Sequence, residues 1–189
     1  MLQSFLKFFE LGLYHILNFD GHDHILFVII VSVPFVFKDW KRLLIIISVF
    51  TLGHTLSLIL GVYDIVNLNF NITQWLILIT ILFMAIYNIL MAGKPKQRRP
   101  YLMYVIVLFF GLVHGLGFAN AFESLVHPKE NIILLILEFS IGIEIGQFII
   151  VLCTLILSFL FQFIFRFSNR EWVLVISSII LGFILQLIL

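Results

Sequence analysis

Six ionisable side chains stand inside long apolar stretches of this chain: Asp23, His24, His54, His114, Glu138 and Glu144. Burying such a group in a membrane span costs roughly 2.5–3.5 kcal/mol on insertion scales, and groups kept at that cost usually mark a site. Imidazole nitrogen with carboxylate oxygen suits a divalent transition metal such as Ni²⁺, Zn²⁺, Co²⁺, Mn²⁺ or Fe²⁺, whereas Cu(I) favours sulfur. The one cysteine, Cys153, can form neither an internal disulfide nor a CxxC site. No Lys or Arg lies within the apolar stretches, so a bound cation, Ni²⁺ or Zn²⁺ first, would balance the acids.

Spacing adds neighbours to this set. Ser140, Glu144 and Gln147 recur at i, i+4 and i+7, and Thr51, His54 and Thr55 share another helical face. Thr51, Thr55, Ser140 and Gln147 are therefore expected as a second shell that orients ligands. Glu138 lies six residues before Glu144 and points about 120° away from it, at the margin of that shell. His15, Asp20 and His22 precede Asp23 and His24, and this polar mouth reads either as capture of a cation or as a histidine-rich loop.

The elements that must carry these residues follow from composition. Of 189 residues, 62% are hydrophobic and 11% charged, and the mean hydropathy is +1.19. A soluble domain carries about a quarter charged residues. A net charge of +1 also excludes a nucleic-acid binder. The apolar runs are too long and too unalternating for barrel strands, which leaves an all-α, polytopic bundle in a lipid bilayer. At about 20 residues per crossing, the sequence predicts six transmembrane helices near 18–37, 43–62, 72–92, 101–122, 132–165 and 172–189, with the fifth longer than one crossing needs.

Charge sets the expected orientation. Lys38, Lys41, Arg42, Lys94, Lys96, Arg98, Arg99, Arg166 and Arg170 all fall on one side of a six-span chain, with only Lys7 and Lys129 opposite. The positive-inside rule then places both termini outside, and a helical bundle points to the inner (cytoplasmic) membrane. Residues 1–17 carry Gln3, Lys7, Glu10 and Tyr14 on one face and read as an amphipathic helix on the outer leaflet. The basic loop at 93–100 reads as a topology anchor, with anionic-lipid contact as its functional alternative. No linker divides the chain, so 1–189 is one membrane domain.

His54 lies twelve residues beyond Arg42 and His114 thirteen beyond Tyr101, which places them about 18 and 20 Å from the basic side. Asp23 and His24 open the first span, and Glu144 averages to the outer half. Groups far apart in sequence thus meet at similar height.

Four blocks in order carry a resemblance: Tyr14-His15 with Asp23-His24, Phe50–Leu58 around Gly53-His54-Thr55, Gly111–Ala119 around His114-Gly115, and Phe139–Gln147 around Gly142, Glu144 and Gly146. Together they resemble the HupE/UreJ membrane proteins from about residue 11 to 150. The resemblance implies a nickel permease and carries the first-block motif onto His15, Asp23 and His24. Seven residues separate His15 from Asp23, a longer spacing than in the permease branch, which is similar to a divergent branch.

Three functions stay open on the residues. The first is transport of a divalent transition metal, for which the apolar inner halves of the spans demand a conformational change or a homo-oligomer to supply a path. The second is an intramembrane, zinc-type hydrolase acting on a lipid or an exported substrate. The third is a non-catalytic membrane partner subunit whose polar cluster only locks the bundle.

Overall fold

The computed structural model describes residues 2–18, 21–66, 68–94, 100–126 and 131–189. Seven α-helices run through the described residues: α1 (Leu2–Leu17), α2 (His22–Ser32), α3 (Trp40–Val62), α4 (Phe70–Met91), α5 (Pro100–Glu123), α6 (Ile132–Ile164) and α7 (Asn169–Ile188). A 3₁₀ turn, Phe37–Asp39, leads into α3. Local chemistry sets several of these starts. Asn69 caps α4 by accepting from the Asn71 amide at 2.9 Å, and Asn131 caps α6 by accepting from the Leu134 amide at 3.3 Å. Ser168 and Glu171 form a capping box at α7. Pro34 stands two residues past the end of α2, where its ring cannot continue a helix.

The molecule is an all-α membrane bundle. Phe37–Val62, Phe70–Met91, Ile132–Ile164 and Asn169–Ile188 are each long and apolar enough to cross a bilayer. Their outward faces carry exposed apolar side chains such as Leu52, Ile79, Leu152 and Phe163. Polar side chains turn inward instead: His24, His54, His114, Ser57 and Gln147 are all buried. A lipid solvent imposes this arrangement, because it offers polar groups no partner.

Two helix pairs position the site. The most extensive contact is between α3 and α5. Gly111 lies directly on the Phe50 carbonyl and the His54 amide, so any side chain there would strike backbone. Small residues allow this approach. The second pair is α1 and α6, where Gly12 meets the Phe139 carbonyl and Gly142 meets that of Phe9.

That pair changes the reading of the N-terminal helix. Lys7, Glu10 and Tyr14 are exposed, as an amphipathic helix requires. Yet Phe8 and Ile16 on the other face are fully buried, and what they meet is protein rather than the outer leaflet. The first predicted crossing is also shorter than expected. The helix within 18–37 has only 11 residues, about 16 Å of length, too little to cross a hydrocarbon core of ~30 Å alone. Both α1 and α2 pack along the 33-residue α6.

Candidate metal centre

Each of four helices delivers one imidazole to the same place. His15 comes from the last turn of α1 and His24 from the first turn of α2, on either side of the break between them. On α1, Phe8, Gly12, His15 and Ile16 fall at helical spacing, so the contact that seats α1 on α6 also turns His15 inward. In the close α3–α5 contact, Gly111 and Gly115 lie on the His54 backbone, which brings the α5 turn that carries His114 to the level of His54.

The ligand atoms of His15, His24 and His54 all lie within 4.8 Å of one another. Ring centroids are 4.5 Å apart for His15 and His24, 5.9 Å for His15 and His54 and 5.8 Å for His24 and His54. His114 joins at 5.2 Å from His24. Nitrogens around one tetrahedral zinc sit about 3.4 Å apart, given metal–nitrogen bonds near 2.0–2.1 Å. The triad is thus slightly open and needs only small side-chain movements to close on an ion.

Hydrogen bonding settles which nitrogen is free. His24 Nδ1 lies 3.1 Å from Asp23 Oδ1, and a carboxylate only accepts, so Nδ1 carries the proton and Nε2 the lone pair. His114 Nδ1 donates to the Phe110 carbonyl at 2.8 Å, with the same outcome. Both contacts have the form that orients metal-binding histidines. Nε2 of His15, His24, His54 and His114 and Nδ1 of His54 are shielded from solvent and have no hydrogen-bond partner among the described residues. Leaving a buried polar atom unpaired costs about 1–3 kcal/mol. Three of these residues, His15, His24 and His54, hold ligand atoms within 4.8 Å of one another, a clustered donor set that a divalent cation fits.

Phenylalanines enclose the imidazoles on two sides. Toward the start of α3, Phe27, Phe50 and Phe110 form one layer: Phe27 stacks on Phe50 at 4.7 Å, meets Phe110 at 5.6 Å and touches His114 at 5.2 Å. Toward the opposite end, Phe118 sits 4.2 Å from His15 and stacks on Phe139 at 5.2 Å, and Phe122 closes on Phe139 at the same separation.

The other expected site residues lie elsewhere. Glu144 is about one helical turn from the imidazole level, where its carboxylate accepts from Ser48 and Thr51 rather than facing a ring. Thr51 also meets Gln147 Oε1 at 2.8 Å, and Thr55 meets Ser140 at 2.7 Å. These side chains tie α3 to α6 instead of forming a shell around the nitrogens. Glu138 is buried, with Oε2 unpartnered among the described residues, and it stands outside the imidazole group. His22 turns to Phe183 of α7 at 5.1 Å. Asp20 lies outside the described residues. Asp23 is present at the centre as the orienting partner of His24, an ion pair when that ring is protonated.

Two features escaped the sequence. His15 looked like part of the outer mouth, but its helical register with Gly12 and Phe8 already puts it on the packing face. The aromatic layers are the second feature. Their signal is a phenylalanine three or four residues from each of three histidines: Phe27 from His24, Phe50 from His54, Phe110 and Phe118 from His114.

A family model described as HupE / UreJ protein matches residues 1–189. No curated protein matches the chain at a significant level, and no solved structure does.

Proposed function

The chain belongs to the HupE/UreJ family, and from that premise we propose that it carries a divalent transition-metal ion, nickel by family resemblance, across the inner membrane. The observation that carries the reading is the convergence of His15, His24 and His54, with ligand atoms within 4.8 Å and unpaired nitrogens. Asp23 fixes the His24 ring and supplies negative charge beside the ion, and His114 is the fourth donor. Three or four neutral imidazoles without a close thiolate or carboxylate ligand make a modest grip, which suits a cargo that must leave again.

In this reading the chain crosses six times with both termini outside. The basic ends of α3, α4, α5 and α7 face the cytoplasm. α1, ending at Leu17, and α2, starting at His22, together form the first crossing. Transporter sites commonly sit where a membrane helix is interrupted, and here the two sides of the break supply His15 and His24. An ion arrives from outside past Phe118 and Phe139. It is held by the imidazoles and is barred from the cytoplasm by Phe27, Phe50 and Phe110. Passage requires those rings to part.

A zinc-type hydrolase is the second reading, favoured by the same enclosure: two aromatic layers suit retention of an ion as well as its passage. Proteoliposomes separate the two. Transport predicts uptake of radioactive nickel that His54→Ala abolishes while protein incorporation is unchanged. A tightly retained ion with no uptake would support the hydrolase. No bound ion at all would leave a structural partner subunit.

A further inference from the structure

A cavity of about 290 Å³ opens at the basic end of the bundle, far from the imidazoles. Its wall contains three cationic side chains from three separate elements: Arg42 of α3, Lys94 after α4, and Arg170 of α7. None of the residues lining it is acidic. The nearest acid in sequence, Glu171, is occupied as the α7 cap, accepting from the Ser168 amide and hydroxyl at 2.7 Å each. None of the three cations forms an ion pair among the described residues.

The cavity is built rather than incidental. Asn88 on its floor donates to the Ile30 carbonyl at 2.6 Å, joining α4 to α2. Arg42 is held over the Phe35 ring at 6.0 Å. Gly93 has φ of +82°, and a side chain there would strike the Arg170 stem, so the turn is shaped to let that arginine lie across it. The side-chain oxygen of Asn169, another wall residue, is shielded and has no partner among the described residues. Apolar surface from Phe35, Met91, Met103 and Val173 completes the wall.

We propose that this cavity binds a phosphate-bearing anion, supplied by the headgroup of an anionic phospholipid whose acyl chains rest on the apolar wall. Three cations in one wall, with Glu171 beside Arg170 already held as a helix cap, favour an anion, and guanidinium groups match phosphate oxygens in charge and geometry. The unpaired Asn169 oxygen would accept from a headgroup hydroxyl, as glycerol provides. The site sits where the aqueous face meets the bilayer, within reach of the leaflet that carries anionic lipid. It bridges α2, α3, α4, α5 and α7, so an occupant would brace the same end of the bundle at which a cargo ion would leave.

The purified full-length protein in detergent can be titrated with short-chain phosphatidylglycerol, phosphatidylcholine of the same chain length, and inorganic phosphate, reading the thermal unfolding midpoint. The expected result is a dose-dependent rise with phosphatidylglycerol, none with phosphatidylcholine, and loss of the response in Arg42→Gln and Arg170→Gln. A rise with inorganic phosphate as well would support the phosphate site and identify free phosphate as a sufficient ligand. Lys41→Gln, an exposed charge outside the cavity, should keep the full response. Should either arginine variant fail to fold, Lys94→Gln on the loop is expected to weaken the apparent affinity about tenfold, the size of one charge-assisted contact. No response to either anionic probe, an unchanged response in the charge-neutralised variants, or an equal loss in Lys41→Gln would overturn the proposal. Nickel uptake is not read, so the outcome is independent of the transport reading.

Discussion

Single side chains divide into those that face the ion and those that hold the rings. His54 is fully buried and neither of its nitrogens has a partner among the described residues. His54→Ala should therefore abolish bound metal, read by elemental analysis, while costing little in folding. Asp23 acts through His24, so Asp23→Asn should weaken metal affinity by ~10–100-fold and leave the stoichiometry at saturation unchanged; equilibrium dialysis distinguishes the two quantities. Glu144 is predicted to behave differently from either. It bonds Ser48 and Thr51, at some distance from the imidazoles, so Glu144→Leu should lower stability by about 1–3 kcal/mol through loss of two charge-assisted hydrogen bonds between α3 and α6 and preserve bound metal. Loss of metal in that variant at normal stability would place the carboxylate back among the ligands.

The residue types were legible before the fold was. An imidazole in an apolar run is expensive wherever it sits, so His24, His54 and His114 declared themselves by chemistry alone. Glu144 declared itself equally, but cost does not reveal a partner. Ser48 and Thr51, one to two turns before His54 on α3, absorb its charge through hydroxyls, which a search for basic partners could not find. His15 was discounted because a short helix at a chain end reads as peripheral until its neighbour is known.

At the scale of helices, packing of small residues is what aligns the donors. Gly111→Leu should push α5 from α3, costing about 1–3 kcal/mol or more and separating His114 from His54; a fall in unfolding midpoint with reduced metal binding would be the signature. The α7 capping box gives a control. Ser168→Ala should cost ~1 kcal/mol and leave metal binding intact. The long spans were readable because lipid demands about 20 apolar residues per crossing, and α3, α4, α6 and α7 satisfy that demand. The broken pair α1–α2 was not, since hydropathy averages over an interruption and cannot say that two short helices share one neighbour. The length of α6 was the available clue: at 33 residues it is long enough to support both.

For the whole molecule, the account fixes a direction. Basic residues gather at one end, around Arg42, Lys94 and Arg170, and the turn after α5 lies at the other. With Cys153→Ser as background, a membrane-impermeant thiol reagent should label Ser124→Cys in intact cells and Lys94→Cys only after permeabilisation. The reverse pattern would invert the proposed orientation, and labelling of both from one side would remove the α5 crossing. Charge asymmetry is the sequence signal behind this proposed orientation. The aromatic layers have no such charge signal, because they are built from the same residue type that faces lipid.

The most direct test is nickel stoichiometry of the purified protein after equilibrium dialysis, with X-ray absorption to identify the ligands. The account predicts one ion per chain in a shell of three or four imidazole nitrogens, lost in His24→Ala and in His54→Ala. Binding that survives both substitutions, or a shell dominated by carboxylate oxygen, would contradict it.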